Sequence, residues 1–213
     1  MARAFRGLIA LSAWSGLGLQ LWIMLTSGAF DSPVLAVWRF LGFFTILTNL
    51  MVAVVSTVSA IAPASTSGKL VDGAGFRAGI LLYIATVGIT YHLILANLWD
   101  PQGHQLIADQ LLHTATPVMV AAGWILFDRK KGLGFDIIPN LLVYPVGYAI
   151  YAVLRGAFDG FYPYPFIDVS ELGYARTLMN IALLAGAFIA GAVAVIALAR
   201  MLTSFGIRTA PAR

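Results

Sequence analysis

The chain predicts an all-α integral membrane protein of six transmembrane helices with both termini cytoplasmic, and three observations support that expectation. Of its 213 residues, 60% are hydrophobic and only 10% charged, with a mean hydropathy of +0.88, a balance outside the range of water-soluble domains of this size. Apolar runs of about 20 residues, the length needed to cross the hydrocarbon, recur six times. Lysines and arginines then fall unevenly on alternate sides of those runs.

The runs lie at roughly 7–27, 34–62, 78–98, 106–127, 135–155 and 176–203. The first follows Arg3 and Arg6, as a secretory leader would, but it is too long for a leader and holds Trp14, Gln20 and Trp22, so it is expected to stay as a helix. With a cytoplasmic N-terminus that side holds Arg3, Arg6, Lys69, Arg77, Arg129, Lys130, Lys131, Arg200, Arg208 and Arg213, against Arg39, Arg155 and Arg176 opposite. The net charge of +4 therefore reflects topology, and no aromatic-interleaved basic stripe suggests a nucleic-acid partner. The absence of cysteine excludes disulfide and thiolate chemistry.

A single domain, 1–213, accounts for the whole pattern. The segment "APASTSGKLVDGAG" (62–75) reads as a small polar mobile loop, and "RTAPAR" (208–213) as a basic tail. Small residues at four-residue spacing in "ALLAGAFIAGAVAVIALA" (182–199) predict close helix packing. Between the last two spans, "GAFDGFYPYPFIDVSELGYAR" (156–176) is stiffened by prolines and rich in aromatics. It is expected to lie at the membrane surface as an interfacial anchor, or to close over a site opening outward.

Polar residues inside the spans gather at one depth. Thr48 and Asn49 follow Thr45 at i+3 and i+4 on the second span, so the three share a face. The fourth span carries Asp109, His113 and Thr116 on one face, with Pro117 expected to kink the helix beside the histidine. His92 and Asn97 end the third, the stripe Tyr144, Tyr148, Tyr151 and Arg155 runs along the fifth, and Arg176 and Asn180 open the sixth. Ionisable groups in a bilayer normally face a bundle interior or a wet cavity, so this convergence predicts a pocket towards the outer side. Each residue also has a quieter reading. Thr48 and Asn49 can simply join helices, the tyrosines can be packing, and Arg155 and Arg176 can reach the interface. Asp100 and His104 read as ordinary loop residues.

A threonine hydroxyl becomes a nucleophile when a neutral imidazole takes its proton. Thr45 with His113 would supply that pair, and Asp109, one turn before the histidine, would orient the ring. Such chemistry needs no metal or cofactor. Asn49, Tyr148 and Tyr151 are candidate donors to a developing oxyanion. Thr48, His92, Tyr144, Arg155, Arg176 and Asn180 are candidates for binding substrate, the two arginines by holding a carboxylate.

The stretches "WRFLGFFTILTN" (38–49), "LLHTATP" (111–117) and "YPYPFID" (162–168), in this order on a six-helix chain, resemble the androgen-induced-gene family of membrane proteins, bacterial members included, from about residue 35 to 180. The resemblance implies a threonine hydrolase of the plasma membrane that cleaves fatty acid esters of hydroxy fatty acids with one threonine and one histidine. By motif these fall on Thr45 and His113, with Thr48 the rival for the first, and the family gives no support to Asp109 as a third member. The lipid substrate is expected to enter from the bilayer. Two other classes stay open at this stage. One is a haem protein ligated by His92 and His113, which sit at similar depth on consecutive spans. The other is a lipid-binding or transport protein without catalysis.

Overall fold

The computed structural model describes residues 1–204, and the expected basic tail 208–213 lies outside them. Six helices are long and apolar enough to cross a membrane: α1 Ala2–Thr26, α3 Phe44–Ile61, α5 Ala74–Leu98, α6 Gly103–Phe127, α7 Phe135–Asp159 and α8 Val169–Ser204. Two short α-helices, α2 Pro33–Phe40 and α4 Thr66–Val71, join them, and no strand occurs among the described residues. The fold is thus the expected multi-pass helical bundle. The core packs α1 against α3 and α6, α5 against α3, α6 and α8, and α7 against α8.

The second span differs from expectation in a way that creates the site. Residues 34–62 do not form one helix. Ser32 caps α2, its hydroxyl accepting from the Leu35 N–H, with Pro33 at the first position. The chain then leaves helical geometry at Leu41–Phe43, and α3 starts afresh at Phe44. An interrupted helix in a membrane needs substitute partners for its freed carbonyls. Here α7 supplies them: Tyr148 donates to Gly42 O at 2.9 Å, Tyr151 to Leu41 O at 3.2 Å, and Arg155 to Trp38 O. Gly42 leaves room for this clamp, because a Cβ there would lie 2.6 Å from Arg155 Nη1 and displace the guanidinium.

Pro117 acts on α6 as the sequence suggests, but by widening it. Residues Leu111–Ala115 form a π-helical turn that contains His113. A proline ring would strike the carbonyl four residues earlier, here that of His113, and the extra residue in the turn relieves the clash. A second π turn, Tyr91–Leu95, faces it on α5. On α8, Gly173 is non-helical with φ of 70°, so the long regular run begins just before the predicted residue 176.

The loop 62–75, expected to be small, polar and mobile, holds α4 and one arm of a largely buried ion network. Asp72 Oδ1 lies 2.9 Å from Arg6 Nη1 and 2.7 Å from Arg77 Nη2, and Asp128 Oδ1 lies 3.0 Å from Arg6 Nη2. Lys130, counted above as a loop cation, is buried and caps the end of α6, its Nζ donating to the carbonyls of Trp124, Ile125 and Asp128 at 2.8–3.0 Å. This is the start of α1 and α5 and the end of α3 and α6. The cavity described next lies at the opposite end.

Candidate functional site

Thr45 is the second residue of α3, and that position decides the state of its hydroxyl. Hydroxyls within apolar helices usually bond the carbonyl one turn back, as Thr57 does to Ala53 O and Thr86 to Leu82 O. For Thr45 that carbonyl belongs to Leu41, outside the helix and already bonded by Tyr151. The Thr45 hydroxyl therefore makes no bond back to its own helix, and it lines a cavity of about 460 Å³ beside the Tyr164 hydroxyl.

Four free N–H groups are the normal state of a helix start. The first backbone bond of α3 runs from Leu47 N to Phe43 O, leaving Phe44, Thr45 and Ile46 outside the ladder. The Thr45 N–H donates instead to the Tyr164 hydroxyl at 3.3 Å. Burial pushes the Tyr164 phenol above its ordinary value, so it stays protonated and keeps an O–H to donate.

The same cavity is lined by His113 and Asp109. The π turn brings His113 Nδ1 to 3.2 Å from the main-chain O of Asp109, with a good N–H direction, and to 3.1 Å from its carboxyl Oδ1 off that axis. Committing Nδ1 as donor leaves Nε2 with its lone pair. Tyr91 fixes the plane of the ring by stacking on it, centroids 3.9 Å apart and planes 13° from parallel. Gly88 lets α5 come this close, since a Cβ there would lie 3.2 Å from His113 O and 3.2 Å from Pro117 Cβ. Gly88→Val is expected to push α6 outward and reduce any His113-dependent turnover about 10²-fold, the cost of a misplacement near 1 Å. Gly88→Ala should be far milder, and turnover measured beside an unfolding titration checks both.

The remaining residues expected at the site divide sharply. Asn49 is fully buried and donates through Nδ2 to Thr45 O at 2.9 Å and Leu112 O at 3.2 Å. Its amide hydrogens are spent joining the helix of Thr45 to the turn of His113. Tyr148 and Tyr151 likewise give their hydroxyl hydrogens to the break in the second span, although the Tyr148 ring lines a neighbouring apolar cleft of about 100 Å³. The Thr48 hydroxyl pairs with that of Tyr144 at 2.9 Å, and neither residue lines either space. Arg155 stacks on Trp38, its guanidinium carbon 4.2 Å from the ring centroid. Arg176 is exposed. Asn180 donates to Phe166 O at 2.9 Å and anchors the loop before α8. His92 is exposed and bonds Thr114 Oγ1 at 3.0 Å, so it and His113 are not brought to one site.

Several lining residues were not singled out from the sequence as site residues: Tyr164, Tyr91, Trp99, Gln105 and Gln20. Tyr164 stands in the quoted "YPYPFID" and is delivered by the fold of 160–168, where the turn Pro165–Ile167 presses Pro163, Tyr164 and Pro165 onto the cavity. Gln105 sits one turn before Asp109 on the face already read for His113, and that periodicity was the available signal. Thr45, Tyr164 and Leu95 line both the cavity and the apolar cleft, so the threonine stands where the two spaces meet. An alcohol free of back-bonding, an oriented imidazole and free main-chain N–H groups around one space suit acyl transfer. Neither a family model, nor a curated protein, nor a solved structure matches the chain.

Proposed function

We propose that the protein is an intramembrane hydrolase of lipid esters in which Thr45 is the nucleophile and His113 its base. The observation that most supports this reading is that the one hydroxyl released from back-bonding by the broken span shares a cavity with a histidine whose Nδ1 is tied to Asp109. Attack of Thr45 Oγ1 on the ester carbonyl passes its proton to His113 Nε2. Collapse of the tetrahedral intermediate returns that proton to the departing alcohol and leaves an acyl-threonine, which water then hydrolyses by the same route. The oxyanion is met by the unbonded Ile46 N–H at the positive end of a helix and by the Tyr164 O–H, whose oxygen the Thr45 N–H holds in place. Asp109 steadies the imidazolium. The reading agrees with the resemblance to the androgen-induced-gene family. The Lys/Arg asymmetry supports a cavity facing the outer leaflet, and the resemblance supports a bacterial plasma membrane as the place where a lipid would enter sideways.

A fluorophosphonate probe tests it. The purified protein is expected to be labelled on the peptide containing Thr45, with labelling abolished in Thr45→Ala and His113→Ala and kept in Thr48→Ala. Labelling that persists in Thr45→Ala refutes the assignment.

A further inference from the structure

The resemblance implies an ester that carries a free carboxylate, and the site has nothing to receive one. Among the described residues, no lysine or arginine lines the cavity or the cleft. The one acidic side chain in the wall, Asp109, is 1% exposed with both carboxyl oxygens lacking a hydrogen-bond partner. Nearby cations are engaged elsewhere. Arg155 Nη1 donates to the Tyr151 hydroxyl at 2.9 Å and its Nε lies 3.6 Å from Asp159, while Arg39 Nη1 lies 3.3 Å from the same carboxylate. Arg176 is exposed away from both spaces.

The polar side chains on offer besides Asp109 and His113 are neutral. Gln105 Nε2 donates to Gln20 Oε1 at 2.7 Å across the cavity wall, and an amide pair retains further donors and lone pairs for an outside partner. On the other side of Thr45 the cleft is walled by Phe44, Val87, Leu184 and Phe188, surface suited to a hydrocarbon chain. A carboxylate entering here would lose its hydration with no lysine or arginine to replace it, and Asp109 already holds the Nδ1 side of His113. A hydroxyl or carbonyl needs only the hydrogen bonds that the glutamines provide.

We infer that the site takes uncharged lipid esters, with the acyl chain in the cleft and the alcohol portion in the larger cavity, where Gln20 and Gln105 meet a neutral hydrogen-bonding group. The inference rests on Thr45 being the nucleophile only for the hydrolytic step, in which ester and water give fatty acid and alcohol. The ligand class itself rests on the wall.

The test uses a matched pair: a fatty acid ester of a hydroxy fatty acid, and the same ester with its carboxylate replaced by a carboxamide. With the purified full-length protein in an uncharged detergent, kcat/KM is expected to be at least about ten-fold higher for the carboxamide. Binding to Thr45→Ala, followed by tryptophan fluorescence with Trp99 in the wall, should favour the carboxamide by a similar factor. Gln105→Lys should move the ratio about ten-fold towards the free acid. Equal or reversed preference in binding overturns the inference whether or not the wild type turns over. A carboxamide preference in binding with no hydrolysis of either ester by the wild type overturns the hydrolase reading and leaves the ligand class standing.

Discussion

His113→Ala should reduce ester turnover about 10³-fold or more, whereas Asp109→Asn should cost only about 10-fold. The contrast follows from what holds the imidazole. In a triad whose carboxylate alone receives the Nδ1 proton, the amide variant inverts the tautomer and activity collapses. Here the Nδ1–H is directed to the main-chain carbonyl of Asp109 at 3.2 Å, and the carboxyl oxygen lies off that axis. Asp109→Asn keeps the carbonyl, so the tautomer survives and only the stabilisation of the imidazolium is lost. The measurement is kcat and KM on one lipid ester for both variants. The expected pattern is a fall in kcat with KM unchanged for Asp109→Asn, together with retained probe labelling at a slower rate. Equal losses in the two variants would show that the carboxyl group, not the backbone, sets the ring.

Asp72→Ala should be the most destabilising single change at the far end, by about 3 kcal/mol. Asp72 Oδ1 serves Arg6 and Arg77 together, and the two guanidinium groups are 7–8% exposed. Removing the acid leaves two buried like charges with Asp128 as the remaining counter-charge, and breaking such a network is far costlier than replacing it wholesale by apolar groups. Unfolding in mixed micelles titrated with an anionic detergent should show the loss. The companion variant Arg6→Met with Asp128→Leu should be milder despite removing two charges. Because the network and the cavity occupy opposite ends, the folded fraction of Asp72→Ala should keep its probe reactivity per molecule.

The bundle was legible because its causes are local. Six apolar runs and their flanking charges state the number of spans with no knowledge of how they meet. Thr45, His113 and Asp109 were legible as a face and a spacing, and the structure sets all three on one cavity. What escaped the sequence reading depends on contacts distant in the chain. The interruption at Leu41–Phe43 is stabilised by Tyr148, Tyr151 and Arg155, more than 100 residues away. Tyr151 and Arg155 therefore read as pocket lining although neither borders the cavity or the cleft, and Tyr148, whose ring does line the cleft, has its hydroxyl hydrogen committed to Gly42 O. Asn49 looked like an oxyanion donor for the same reason, since nothing local announces that Leu112 O will take its amide. Lys130, Arg6 and Arg77 were counted only for the side of the membrane they mark, because burial of a cation shows only when its partners are in place. The loop around Asp72 looked empty of structure because its worth lies in Arg6 and Arg77.

The gap in the second span also bears on how this protein can be changed. Closing it, by a better helix former at Gly42 and loss of the Arg155 clamp, would add a turn of regular structure and should raise resistance to unfolding. It would also hand the Thr45 oxygen an acceptor on its own strand of backbone and remove the unsatisfied amides beside it. On the proposed hydrolase reading, selection for robustness alone would therefore drift towards a sturdier molecule that no longer turns over ester. The irregularity is the feature that any stabilised version must keep.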